Sequence, residues 1–159
     1  MNRPILLDNT VLSNLALVEQ TDLVFRLWPE RVITTREVWR EYEVAAQAGK
    51  LPPHAWSDLT VVELTAYEKA SAAAFASRLG AGERSCLAVA QTRHGLLASD
   101  DADTRHAAQR LDIPVSGTLG ILVLAVRRQL LSLDRANALL ADMIAAGFRS
   151  PLAKLDTLV

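Results

Sequence analysis

The sequence predicts an α/β fold, a parallel sheet covered by helices on both faces, and three observations carry that expectation. Short apolar runs of strand type alternate with stretches of helical spacing from one end of the chain to the other. Half of the residues are apolar (50%) but only 5% are aromatic, so Leu, Val, Ile and Ala do most of the packing, which favours helices laid on a sheet over an aromatic-rich β sandwich. Two strand-like runs end in acidic turns, and open α/β sheets collect ligands at the carboxyl ends of their strands. With 159 residues, no internal repeat and no linker long enough to divide it, the chain reads as one domain over 1–159.

Pro4-Ile5-Leu6-Leu7 reads as a short buried strand that stops at Asp8-Asn9-Thr10, residues of turn and N-cap type. Helical spacing follows at Val11, Leu12, Leu15 and Ala16, and a second helical piece carries Leu23, Val24 and Leu27 up to Pro29. Arg31-Val32-Ile33 reads as the second strand. Thr34-x-x-Glu37 matches a capping box and opens a helix with Val38, Tyr42, Ala45 and Ala46 on one face and Gly49 as its stop. After the Pro52-Pro53 loop, residues 59–64 read as a short edge strand and 66–79 as an Ala-rich helix. Gly80-Ala81-Gly82 breaks that helix, and a new one starting near Glu83 carries Cys86, Leu87, Val89 and Ala90, with Gly95 as its C′ residue. Leu96-Leu97-Ala98-Ser99 is a strand that runs straight into Asp100-Asp101-Ala102-Asp103, followed by a helix with Ala107, Ala108 and Leu111. Ile113-Pro114-Val115 is the last strand; an apolar helix over 118–129 and a final helix over 134–146, with Asp134 as N-cap and Gly147 beyond its end, close the chain.

A net charge of −1 excludes a protein that coats nucleic acid through its overall field, so any nucleic acid it handles meets a local patch. Arg outnumbers Lys 14 to 3, and Arg suits bidentate phosphate contacts. The single cysteine, Cys86, excludes an intrachain disulfide and reads as a buried thiol in a reducing, cytoplasmic compartment. The apolar run at Ile5-Leu6-Leu7 is too short for a signal core, and Leu119 to Val126 is far short of the roughly 20 residues that span a bilayer, so no membrane role is expected.

The chemistry sits in the acids. Asp8 and the pair Asp100-Asp101 stand at strand ends, Glu41 lies on the helix after the second strand, and Glu83 follows a Gly-rich break. Each alone has an ordinary role: Asp8 as a helix cap, Glu41 as a solvated helix residue, Glu83 and the acids from Asp100 as favourable first-turn charges. Together they fall where one crevice collects them. Clustered carboxylates raise one another's pKa, and a bound cation reverses that. Oxygen ligands without His or Cys suit Mg²⁺ or Mn²⁺, which binds a phosphate oxygen and lowers the pKa of an attacking water.

Leu6-Leu7-Asp8-Asn9-Thr10-x-x-Ser13-x-Leu15, Val38-x-x-Glu41-Tyr42, Gly82-Glu83-x-x-x-Leu87-Ala88-x-Ala90 and Ser99-Asp100-Asp101-x-x-x-Arg105-x-Ala107, in that order, resemble the four acidic motifs of PIN-domain proteins, in the branch with Glu as the third acid. Ile113-Pro114-Val115-x-Gly117-Thr118-Leu119-Gly120-Ile121-Leu122 resembles the segment that follows them. The resemblance implies a three-layer α/β/α sandwich with a central, mainly parallel sheet and Mg²⁺- or Mn²⁺-dependent RNA cleavage. It implies Asp8, Glu41, Glu83 and Asp100 as the catalytic, metal-holding acids, with Asp101 a further metal ligand beside Asp100. Asn9 and Arg105 are implied as substrate contacts. The partners it implies are RNA, an antitoxin protein (many relatives are toxins of toxin–antitoxin pairs) and a second copy of the chain.

Glu41 is preferred over Glu37, one turn away on the same face, because the capping box engages Glu37. Haloacid-dehalogenase-like phosphatases place a second Asp two residues after the first, where this chain has Thr10; phospho-receiver domains need a late Lys, and only Lys154 stands there. The rival expectation is a PIN-like module that binds RNA or a protein without cutting.

Overall fold

A computed structural model of the chain describes residues 3–159. Among them are five strands, β1 (Ile5–Leu7), β2 (Val32–Thr35), β3 (Thr60–Val62), β4 (Leu96–Ala98) and β5 (Val115–Ser116). The helices are α1 (Asn9–Leu17), α2 (Asp22–Leu27), α3 (Arg36–Gln47), α4 (Ala66–Ala74), α5 (Ala81–Thr92), α6 (Ala102–Arg110), α7 (Thr118–Arg127) and α8 (Leu133–Ala145). The strands pair in the order β3-β2-β1-β4-β5, every pairing parallel. From β1 the chain steps to β2 and β3 on one side, then returns to β4 and β5 on the other. Parallel crossovers are right-handed, so that reversal sets the helices of the two halves on opposite faces and produces the three-layer α/β/α sandwich.

The reversal falls between β1 and β4, where sheets of this type open a crevice beyond the strand ends. β1 is the centre of the sheet, with Ile5, Leu6 and Leu7 all buried, which is why it reads as an uninterrupted apolar run. Its register with β4 pairs Ile5 with Leu96, Leu6 with Leu97 and Leu7 with Ala98, so the next residues along, Asp8 and Ser99, emerge side by side. α5 touches β1, β2 and β4 from one face, and Cys86, Leu87, Val89 and Ala90 on it are buried. No helix among the described residues is long and apolar enough to cross a membrane.

Where the boundaries differ from the sequence expectation, the cause is at a cap. Thr34 does not cap α3: its hydroxyl is buried in β2 and donates to Leu7 O at 2.7 Å, while Thr35 Oγ1 accepts the Val38 N–H. The true capping box is Thr65-x-x-Glu68 at the start of α4, the same pattern in another place. α8 is capped by Ser132 rather than Asp134. Gly95 is not the left-handed residue after α5; His94 is (φ 53), and Gly95 N–H closes the helix on Ala90 O at 2.8 Å. Gly95 is needed for space instead, since a Cβ there would lie 2.7 Å from Pro4 O. Asp112 (φ 56) ends α6 likewise, and Ile113 N–H bonds back to Ala108 O, which draws Ile113 into the helix stop and leaves β5 to begin at Val115. Gln129 (φ 60) ends α7 earlier than the apolar pattern suggests. α4 stops at Ala74, with Phe75 extended, and buried Leu79 pins the chain before the Gly-rich turn.

Glu68 is 0% exposed, and Arg93 reaches it with Nε at 2.9 Å and Nη2 at 2.8 Å while also bonding Glu63 O. The Arg93 guanidinium holds the Glu68 carboxyl below the ordinary carboxylate range. This pair ties α4 to the end of α5. Arg93→Leu is expected to cost about 1.5–3 kcal/mol at neutral pH, the value of hydrogen bonds to a charged group. Because the folded-state pKa of Glu68 is lowered, the pair's contribution is full above the ordinary carboxylate value and is lost as pH falls through the lowered one. Urea melts of the two proteins should therefore converge in acid.

Candidate active site

Asp8 follows β1 and is the N-cap of α1. It is 2% exposed, and both of its oxygens are engaged: Oδ1 accepts the Asn9 N–H at 2.8 Å and Oδ2 accepts the Ser99 hydroxyl at 2.7 Å. The β1–β4 register creates the second bond, since it brings residue 99 alongside residue 8. Burial pushes the Asp8 carboxyl up to about 7, and the negative charges of Glu83 and Glu41 add to the rise against the pull of the two hydrogen bonds.

Glu41 and Glu83 meet at the N-terminus of α5. That helix has Gly80 as N-cap and so no side-chain cap of its own. Glu41 supplies one from α3, its Oε1 accepting the Gly82 N–H at 3.1 Å. A Cβ on Gly82 would lie 2.6 Å from that oxygen, so glycine makes the approach possible. Glu83, in the first turn, folds back over Gly80. Burial, then the charge of Glu83, raises the Glu41 carboxyl, against the Gly82 hydrogen bond. A hydroxyl relay fixes the turn: Ser85 donates to Gly82 O at 2.7 Å and stands 2.7 Å from Thr35 Oγ1, at the end of β2.

Asp100 follows β4 and does for α7 what Glu41 does for α5. α7 has Gly117 as its N-cap, and Asp100 Oδ1 accepts the Thr118 N–H at 2.7 Å. Its Oδ2 accepts from the Thr118 hydroxyl and from Asn14 Nδ2, the latter at 3.0 Å. The Asp100 N–H donates to Thr10 Oγ1 at 2.9 Å. Asp101 turns away onto its own helix, where Oδ2 accepts the Thr104 N–H and hydroxyl as the N-cap of α6. Arg105 Nη1 donates to Ser99 O at 3.0 Å. Asn9 carries a buried Oδ1 that has no hydrogen-bond partner among the described residues.

The structure thus brings Asp8, Glu41 and Glu83 into mutual electrostatic reach and sets Asp100 at the neighbouring strand end, joined to Asp8 through Ser99 and its backbone. Asp101 serves as a cap. The ground on which the sequence favours Glu41 over Glu37 does not hold: Glu37 is outside any capping box, and its Oε2 is buried without a partner among the described residues. The residues that hold the acids, Thr10, Asn14, Ser99 and Thr118, were not singled out from sequence. Asn14 carried a signal: an amide inside the apolar stripe of Val11, Leu12 and Leu15 is a buried polar group in need of a partner.

A family model described as a PIN domain (DUF3368) matches residues 4–158. The chain belongs to the PIN-domain family. Among curated proteins none matches it. PIN domains are in general nucleases and usually use divalent metal ions. In this PIN domain the donor set suits such an ion: carboxylate oxygens only, two of the acids raised by burial and like charge, the cost a dication removes. Among the described residues no group of three or more His, Cys, Asp or Glu side chains is placed to hold a metal ion by itself. Mg²⁺ does not require one, since it keeps several waters and takes one or two carboxylates.

Two outcomes are expected. Asp8, at about 7 when folded against 3.8 as a free side chain, binds a proton in the folded state that the unfolded chain has released between those values. Without divalent ions, stability therefore falls as pH rises from about 4 to about 7, and Asp8→Asn raises Tm at pH 8 by a few degrees in thermal melts with chelator. A lower Tm for the variant would show that the charged form is the better fit. Gly82→Ala pushes the Glu41 carboxylate off the helix end, a loss that the better helix former largely offsets, so Tm is expected to fall by a few degrees at most while Mn²⁺ affinity, read by calorimetry, falls about tenfold.

Proposed function

We propose that this PIN domain is a Mg²⁺- or Mn²⁺-dependent endoribonuclease acting on single-stranded RNA in the cytoplasm. The observation that carries the reading is that Asp8, at the end of β1, lies within electrostatic reach of Glu41 on α3 and Glu83 on α5, with Asp100 at the neighbouring strand end. One or two of Asp8, Glu41, Glu83 and Asp100 would ligate the ion directly and the others would bind its waters, and Asp101 would remain a cap. The ion, when bound, supplies a Lewis-acid site for a phosphate oxygen and a water of lowered pKa. Glu41 and Glu83 stand together on one side of Asp8, and Glu41, with its raised pKa, suits the transfer of a proton from the attacking water. Thr118 and Asn14 fix the Asp100 carboxylate in one orientation, and Ser99 does the same for Asp8, which supplies positioning.

Purified protein with Mn²⁺ is expected to cut single-stranded RNA, and Asp8→Asn to lower the rate by at least 10²-fold. A variant as fast as the parent removes Asp8 from the chemistry. A non-cutting module is the second reading, favoured by the open spacing of the acids; micromolar Mn²⁺ binding that is lost in Glu83→Gln supports the enzyme, and no binding supports the module. As the toxin of a toxin–antitoxin pair the protein would arrest growth on expression, with relief by Asp8→Asn, and would have an antitoxin and a second copy of itself as partners.

A further inference from the structure

Two cavities meet at Asp100. One, of about 600 Å³, runs past Asn9, Thr10 and Ser13; the other, of about 420 Å³, lies against Arg105, His106 and Gln109. Phe148 and Arg149, from the far end of the chain, line both. They arrive there because Gly147 takes φ +116 after α8, and Phe148 N–H closes the helix on Met143 O at 2.9 Å. That turn sends the chain back across the carboxyl ends of β1 and β4. Phe148 is half-buried against the core, and Arg149 is exposed.

A cluster of carboxylates repels a polyanion, so a strand that crosses it must be gripped by cations alongside. The net charge of −1 leaves that to local groups. The ion pairs among the described residues are Arg36–Glu63, Arg78–Asp103 and Arg93–Glu68, so neither Arg105 nor Arg149 is neutralised by an acid. Arg105 Nη1 and Asp100 Oδ1 lie 3.0 and 2.6 Å from the place a Gly117 Cβ would occupy, which sets one cationic group at the wall of the acidic site. Arg149 makes no hydrogen bond among the described residues and stands over the join of the two cavities. A phenyl ring next to two guanidinium groups is the combination that holds unpaired nucleotides, the ring by stacking and the cations by phosphate contact.

We propose that Phe148 and Arg149, with Arg105, form a subsite for a nucleotide of single-stranded RNA adjoining the cleaved phosphate, the base stacked on Phe148 and its phosphate held by Arg149 and Arg105. The proposal rests on the ribonuclease reading for its substrate and is tested by binding, apart from cleavage. The full chain carrying Asp8→Asn is titrated into a short fluorescein-labelled single-stranded RNA over a series of KCl concentrations, alone and with Arg149→Ala or Phe148→Leu. Arg149→Ala, at an exposed position with no bonds to lose, is expected to weaken binding about tenfold and to make log K against log salt shallower by about 0.7, the release of one phosphate contact on a single strand. Phe148→Leu keeps an apolar group against the core and is expected to weaken binding at least fivefold with the slope unchanged. Affinity and slope equal to the Asp8→Asn background in both variants overturn the subsite, as does a background that binds no RNA. RNA binding that depends on Arg149, in a chain whose parent does not cut with Mn²⁺, upholds the subsite and removes the nuclease reading. Cutting by the parent that is unchanged in Arg149→Ala, with unchanged binding, removes the subsite alone.

Discussion

Four carboxylates in this protein stand on four helix N-termini at one end of the sheet. Asp8 caps α1 and Asp101 caps α6 from their own chain neighbours. Glu41 and Asp100 cap α5 and α7 from elsewhere, because glycines hold the N-cap positions of those helices and offer no side chain. The parallel sheet is what allows this: every crossover brings a helix N-terminus to the carboxyl end of the strands, where the unsatisfied N–H groups and the positive end of the helix dipole collect. The acids are held together by backbone donors, and the sheet's chain reversal at β1 and β4 decides which of them become neighbours.

The same arrangement costs the fold something. Asp8 is buried among like charges, and a helix cap and one serine hydroxyl do not offset its desolvation, so its pKa is near 7. Stability of the empty fold and the proposed hold on a dication pull against each other at that residue. The fold offsets that cost both away from the site, with the buried Glu68–Arg93 pair that locks α4 to α5, and at its edge, with the Ser85–Thr35 contact that fixes the first turn of α5.

The layered parallel fold was legible because strand and helix periods alternate without a gap, and β1 and β4 announce themselves as apolar runs that end in acids. Asp8 and Asp100 were legible through their positions at those ends, whereas Glu41 and Glu83, on helices, were reached through their motifs. What was not legible were the caps. Three threonine patterns with Glu three residues on compete in the sequence, and only the structure tells that Thr34 is spent on Leu7 O and Thr60 lies in β3 while Thr65 forms the box. Gly49 and Gly147 marked their helix ends, but His94, Asp112 and Gln129 adopt the same left-handed conformation without the glycine that signals it. The cradle of Asp100 was hidden for a further reason: Asn14 and Thr118 reach it across 86 and 18 residues of chain, a distance that local pattern does not bridge.

The double employment of the acids bears on how such a protein drifts. A lineage released from any need to cut phosphodiesters would still gain from keeping Asp8, Glu41 and Asp100, since each satisfies backbone donors that nothing else reaches. Their retention therefore reports selection on folding as much as on chemistry. Glu83 differs: its carboxylate makes no hydrogen bond or ion pair among the described residues and adds repulsion to Asp8 and Glu41. Its one gain in the empty fold is that of an acid in the first turn of α5, so position 83 is where a change tests the proposed ion site with the least disturbance to the hydrogen bonds of the fold.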